Sequence, residues 1–214
     1  IIKLPDDLSY EKASFIEPLG TVIETSEMLR GDSVLVLGAG VAGILNIQMS
    51  KFYKAGNVIA TDVSEYRLNK AKKFGADYAI NARELTPDIL RSVNHGKLAD
   101  RVIICTGAKS ATEQAFQSYE QGGKIIFFAT PPENEKVEID WYFHWRKGLK
   151  TQMTYGASPK SNNEAFKLIE GNFVNVEDMI THRFSLEEIA EAFKLASKGD
   201  ECLKVMIYPH KNEA

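Results

Sequence analysis

SVLVLGAGVAGILNIQMSKFYKAGNVIATD, residues 33–62, decides the fold. The apolar run Ser33 to Leu37 has the length and branched content of a buried strand, and it ends in Gly38-Ala39-Gly40-Val41-Ala42-Gly43. A helical stretch follows, and a second apolar run closes on Asp62. Each part has a physical task in holding a dinucleotide. Gly38 permits a tight turn, Gly40 lacks the side chain that would block a pyrophosphate, and Gly43 lets the helix pack closely on the strand. The helix N-terminus aims unpaired N–H groups and a positive dipole end at phosphates. Asp62 falls nineteen residues after Gly43, where a carboxylate at the second strand's tip accepts hydrogen bonds from an adenosine ribose. The turn, its setting between strand and helix, and the spaced acid together predict a dinucleotide site.

Asp62 would repel the 2′-phosphate of NADP, which favours NAD. Arg67, five residues on in SEYRLNKAKKFGA, points the other way, because a nearby arginine can accommodate that phosphate. Otherwise it lies over the adenine or is simply solvated.

The alternation continues along the chain. Apolar runs recur at VLVLG, NVIATD, DYAIN, DRVIICTG, GKIIFFAT and LKTQMTYG, separated by amphipathic stretches at residues 41–54, 64–74, 85–94 and 109–120. Continuous apolar strands spaced by helices indicate a parallel sheet covered on both faces. The expected fold is therefore α/β, a Rossmann doubly wound six-stranded sheet in the order 3-2-1-4-5-6. Gly75-Ala76 and Gly122-Gly123 are expected to close two of the helices.

The last sixty or so residues read differently. Ser158-Pro159 opens a helical pattern closed by Gly171. Ser185 and Glu188 form a capping box for SLEEIAEAFKLASKG, and the short strand CLKVMIY follows. These elements do not extend the sheet and read as part of another domain. At the other end, IIKLPDDLSYEKASF looks like a strand and a helix capped by Ser9. A start on Ile rather than Met suggests a piece of something longer.

A length of 214 residues permits one large domain or somewhat more, and the net charge is only −3. Lys and Arg are scattered, which argues against nucleic acid, and no apolar stretch is long enough to span a bilayer. Cys105 and Cys202 are isolated in apolar segments, as buried thiols of a reducing cytoplasm would be. No CxxC or HExxH spacing occurs, so no self-contained metal site is expected.

EPLG at 17–20, GAGVAG at 38–43, ICTGA at 104–108, TYGAS at 154–158 and ITHRFSLEEIAEAF at 180–193 follow one another in register. Together they resemble the medium-chain dehydrogenase/reductase family, most closely its zinc-dependent polyol, secondary-alcohol and threonine dehydrogenase branch. The resemblance implies that a GroES-like domain, absent here, precedes this segment and carries most catalytic zinc ligands. It divides the chain into residues 1–22, ending the catalytic domain with a connecting helix; 23–155, the dinucleotide-binding domain; and 156–214, the C-terminal return of the catalytic domain. It places the backbone of Gly38, Gly40, Val41 and Ala42 at the pyrophosphate, Asp62 at the ribose and Arg67 by the adenine. Thr106 would line the groove, and Phe128, Ala129, Met153 and Tyr155 would hold the nicotinamide. Without it, Thr106 reads as a turn residue and Met153 as core.

Glu17 matches a residue of that branch that binds catalytic zinc directly or through water, and a glutamate there points to polyols or related secondary alcohols. Taken by itself it is a helix-end glutamate before Pro18. Thr21 would touch the nicotinamide, and Arg183 of His182-Arg183 would reach the substrate pocket; otherwise they are a loop pair solvating a helix entry. His95 reads as a surface histidine, and His144 as packing on the sixth strand. The implied activity is NAD-dependent oxidation of a polyol, sugar alcohol or other secondary alcohol to the carbonyl, with catalytic zinc, by a homodimer or homotetramer joined at the sixth-strand edge. This chain alone would bind NAD(H) without turning over alcohol. Two alternatives are a zinc-independent NADPH-dependent quinone or enoyl reductase, against which Asp62 and Glu17 count, and a non-catalytic NAD(H)-sensing module.

Overall fold

The computed structural model describes residues 2–25, 30–199 and 201–209. Six strands form one parallel sheet: β1 (Ser33–Leu37), β2 (Asn57–Asp62), β3 (Tyr78–Asn81), β4 (Ala99–Ile104), β5 (Tyr119–Phe127) and β6 (Lys150–Met153). Their order is β3-β2-β1-β4-β5-β6, the doubly wound arrangement expected from the alternation. Every residue of β1 and β2 is buried, which explains why those strands are continuous apolar runs.

Successive side chains leave opposite faces of the sheet. Val34, Val36, Val58, Ala60, Ile103 and Ile126 join one core, while Leu35, Leu37, Ile59, Val102, Ile104 and Ile125 join the other. The first face is covered by α3 (Val41–Phe52) and α4 (Glu65–Lys73). The second is covered by α5 (Pro87–Val93) and α6 (Lys109–Ser118). α1 (Tyr10–Ala13) is capped by Ser9, whose side chain accepts from the Lys12 N–H, and α2 (Ile16–Ile23) follows it.

α2 and α8 (Pro159–Glu170) pack against each other and extend the first core. Gly20, the glycine of EPLG, makes that approach: a Cβ there would lie 2.4 Å from Asn162 Oδ1 and 2.9 Å from Ala157 Cβ. Val174, Val176, Met179, Ile180 and Leu203 join the same core.

Four local readings need correction. Residues 2–5 form no strand, since no neighbouring chain pairs with them among the described residues; Ile1 lies outside these. Gly122 and Gly123 do not end a helix. α6 stops at Ser118, and the two glycines sit within β5, where Gly122 has φ +73° and the pairing with β4 shifts register between Ala99 and Arg101. His182-Arg183, a loop pair in the alternative reading, lie in strand β7 (Ile180–Ser185), paired in parallel with β8 (Lys204–Tyr208) in a separate two-stranded sheet. WYFHWR, not read as a helix from the sequence, forms α7 (Trp141–Arg146), and its His144 packs on Phe116 and Tyr119 rather than on β6. The His144 Nδ1 lies 2.6 Å from the Tyr119 hydroxyl, and burial holds the imidazole below its ordinary pKa. The Ser185–Glu188 capping box is present, leading into α9 (Ile189–Lys198) with Gly199 as its left-handed cap.

The glycine turn rests on one close approach. A Cβ on Gly43 would stand 1.9 Å from the Gly38 carbonyl oxygen, whereas one on Gly40 would meet no protein atom within 4 Å. Gly43→Ala is therefore expected to destabilise by about 1–3 kcal/mol, as overpacked sites do. Gly40→Ala should change stability by less than about 0.5 kcal/mol. Urea midpoints measured at constant m-value separate the two.

Candidate functional site: a cleft at the carboxyl ends of the strands

Three structural choices shape the turn between β1 and α3. Gly38 adopts φ +96°, a left-handed conformation that an L side chain resists. A Cβ there would also meet Thr106 at 3.0 Å, so this glycine lets the turn sit down on the end of β4. Its N–H donates to Thr61 O at 2.8 Å, and the Cys105 N–H donates to Leu37 O at 2.8 Å, tying β1 to both neighbours. Gly40 is the N-cap of α3 and offers no side-chain cap, so the first-turn N–H groups of Val41 and Ala42 look outward toward the open space above Gly40. That uncapped N-terminus is a ready anion site.

Asp62 ends β2 with its carboxylate buried against this turn. Oδ2 accepts from the Ala39 N–H at 2.8 Å and Oδ1 from the Ser64 N–H at 3.0 Å. The acid thus shapes the loop as well as facing the cleft. Arg67 Nη1 lies 3.9 Å from Asp62 Oδ2.

A cleft of about 310 Å³ joins these groups. Gly38, Gly40, Asp62, Arg67 and Thr106 all line it, five of the residues expected from the sequence. Arg83, Ser110, Gln114 and Cys105 line it too, and sequence reasoning missed them. Arg83 and Cys105 sit just beyond the carboxyl ends of β3 and β4 and Ser110 at the start of α6, where ligands bind in open α/β sheets, and that position was the available signal; Gln114 lies mid-way along α6. Gly43 stands behind the turn, against Gly38.

The other candidates do not line this cleft. The N–H groups of Phe128 and Ala129 both donate to the Ile104 carbonyl, at 3.1 and 2.9 Å. Met153 is 73% exposed on β6, and Tyr155, just past that strand, is fully exposed. Glu17 is exposed on α2, and its Oε1 accepts from the Thr21 hydroxyl at 3.0 Å. It faces a separate cleft with Ile2, Leu4, Pro159, Asn162 and Asn163. Arg183 is held by Glu11, with Nε 2.6 Å from Oε1 and Nη2 3.0 Å from Oε2. The Tyr208 hydroxyl also donates to Glu11. The Arg183 hydrogen bond is the main reason the Glu11 carboxyl stays below the usual range. His182 lies 3.0 Å from the Thr181 hydroxyl, and His95 occupies an exposed left-handed turn. Among the described residues, no three His, Cys, Asp or Glu side chains come together as a metal site.

A profile of zinc-binding dehydrogenases matches residues 41–171. The chain belongs to that family. Rat (Rattus norvegicus) sorbitol dehydrogenase is 33% identical over 217 residues, covering 99% of this chain and 60% of that enzyme. L-threonine 3-dehydrogenase of Chromobacterium violaceum is 32% identical over 199 residues, covering 92% and 58%. The chain thus spans roughly three fifths of the length of the curated relatives it matches. An Escherichia coli CFT073 structure, described as a short chain alcohol dehydrogenase complexed with NADH, superposes with TM-score 0.87 at 24% identity, covering 97% of this chain and 62% of that one. That likeness speaks to the fold. The resemblance read from the five motifs is borne out, and no described helix is long and apolar enough to cross a membrane.

Cys105 lies in the wall of the cleft and is one of two free cysteines. Burial pushes its thiol up to about 12, only partly offset by a hydrogen bond from Asn46 Nδ2. The thiolate is the alkylating nucleophile, and with that pKa it amounts to about one part in ten thousand at pH 8. Iodoacetamide at pH 8 is expected to spare Cys105 in the native chain and label it in urea, with native labelling rising only in strong base. Rapid native labelling at pH 8 would contradict this environment.

Proposed function

We propose that this chain is the nucleotide-holding part of an NAD-linked dehydrogenase that oxidises a polyol, sugar alcohol or other secondary alcohol to the carbonyl. The observation that carries this reading is the open space over Gly40. A Cβ would meet nothing there, an uncapped helix N-terminus faces it, and a carboxylate lies in the same cleft. These residues fit a dinucleotide: the backbone of Gly38 to Ala42 for its pyrophosphate, Asp62 for the adenosine ribose and Thr106 for the groove wall. When bound, the nicotinamide supplies the hydride acceptor.

What the chain itself contributes is position and charge. The left-handed turn at Gly38 and the Asp62–Ala39 hydrogen bond hold the phosphate-facing N–H groups in place before any ligand arrives. Such preorganisation lowers the cost of binding. The kinship with sorbitol and threonine dehydrogenases supports an alcohol substrate, and Glu17 and Arg183 are proposed as one edge of its pocket. A lone carboxylate does not make a zinc site, so no step through zinc is assigned to these residues. β6 is an edge strand, and pairing of two chains along it would give the proposed homodimer or homotetramer.

Calorimetric titration with NADH tests this reading. One NADH per chain is expected, and Gly40→Ala should weaken binding at least about tenfold, roughly 1.4 kcal/mol. With sorbitol, zinc and NAD, the chain alone should yield no NADH. Absence of NADH binding, or an unaltered affinity in Gly40→Ala, would refute the assignment of the turn.

A further inference from the structure

A second cavity, of about 420 Å³, is lined by residues of α5, α6 and α7 on the face of the sheet away from α3. Leu98 precedes β4 and Lys147 precedes β6, so it lies toward the amino ends of the strands. It shares no lining residue with the glycine-turn cleft. Leu98, Phe116 and Phe143 give it apolar walls, and three nitrogen-bearing side chains line it as well: Arg91, His144 and Lys147.

Lys147 is half-buried, and no carboxylate pairs with it among the described residues. Its ammonium donates to the Tyr119 carbonyl at 2.5 Å and lies 4.0 Å from the centre of the Tyr119 ring. One of its three donors is thereby used, and the other two have no protein acceptor among the described residues. Burial holds its pKa below the ordinary lysine range; Glu120 opposes this, and the Arg91 charge adds to it. Glu120 is itself engaged, accepting from the Leu98 and Gln121 N–H groups. A half-buried cation without a counter-ion is costly, and it marks a place for an anion.

His144 supplies a second donor. The Tyr119 hydroxyl has no other acceptor among the described residues, so it donates to Nδ1 and the ring proton resides on Nε2. That Nε2–H has no partner among the described residues, on a side chain that is buried and lines the cavity. Arg91 stands exposed at the rim, 3.0 Å from Asp88, a carboxylate so open to water that it holds the guanidinium only weakly. Two exposed carboxylates, Glu113 and Glu138, complete the charged lining, and Glu113 lies 3.8 Å from Lys109. They oppose a ligand with more than one negative charge.

We propose that this cavity binds a small monocarboxylate with an apolar or aromatic body. Lys147, His144 Nε2 and Arg91 hold the carboxylate, and Leu98, Phe116 and Phe143 hold the body. Charge-assisted hydrogen bonds of this kind are the strong ones, and the carboxylate has acceptors enough for all three donors. The ligand ties α7, which leads into β6, to α5 and α6. The proposal is independent of the dinucleotide reading, since the two sites have no residue in common.

Benzoate is the probe, and benzamide, of similar shape without the charge, is its control. Calorimetric titration is expected to give one benzoate per chain with a millimolar or tighter dissociation constant, and benzamide at least about tenfold weaker. Lys147→Gln should weaken benzoate at least about tenfold and Arg91→Ala about threefold. Arg91 is exposed, so its removal tests the site even if Lys147→Gln fails to fold. Three results would overturn the proposal: no saturable benzoate binding up to about 20 mM, benzamide bound as tightly as benzoate, or native affinity in the folded variants.

Discussion

The approach of the first turn of α3 to the Gly38 carbonyl is the constraint on which the rest depends. The Gly43 position leaves no room for even one carbon, so the helix can start only where the turn allows it. That start aims the helix N-terminus across the carboxyl ends of β1 and β4. Hydrogen bonds then lock the turn to both neighbours of β1, through Thr61 on one side and Cys105 on the other. Asp62 completes the arrangement by holding Ala39. A residue read as a ribose ligand is also a strut of the loop. Its removal would leave a buried backbone donor unpaired, at a cost of about 1–3 kcal/mol.

Much of the fold was legible because the central strands are buried on both faces. Such strands need apolar residues at every position, and SVLVL and NVIATD carry that signature undiluted. β7 was not legible for the opposite reason. ITHRFS mixes charged and apolar residues, and its strand character comes from pairing with β8, some twenty residues away. The misreading of Gly122 has a related cause. Glycine ends many helices, but here it serves a register shift between two strands, which only the pairing reveals. α7 is a helix of six residues with mostly exposed aromatics, so no periodic apolar face announces it.

The candidate site divides along the same line. Residues set by the local motif, Gly38, Gly40 and Asp62, lie in the cleft as their spacing implied. Residues brought there by the chain's return, Arg83, Ser110 and Gln114, depend on where the ends of β3 and β4 fall in space. Glu17 and Arg183 lie elsewhere, each with its own partners: Thr21 for one, Glu11 and Tyr208 for the other. The Glu11–Arg183–Tyr208 cluster ties α1 to the small parallel sheet, and Gly20 draws α2 against α8. The glycine-turn cleft and this braced second face are thus held by separate sets of contacts.

The most direct measurement is a crystal structure of the chain grown with NADH. The account predicts a pyrophosphate over Gly40, within hydrogen-bond distance of the first-turn N–H groups of α3, and an adenosine ribose at Asp62. A nucleotide lodged elsewhere, or a pyrophosphate that avoids the turn while Gly40 still faces open space, would contradict it.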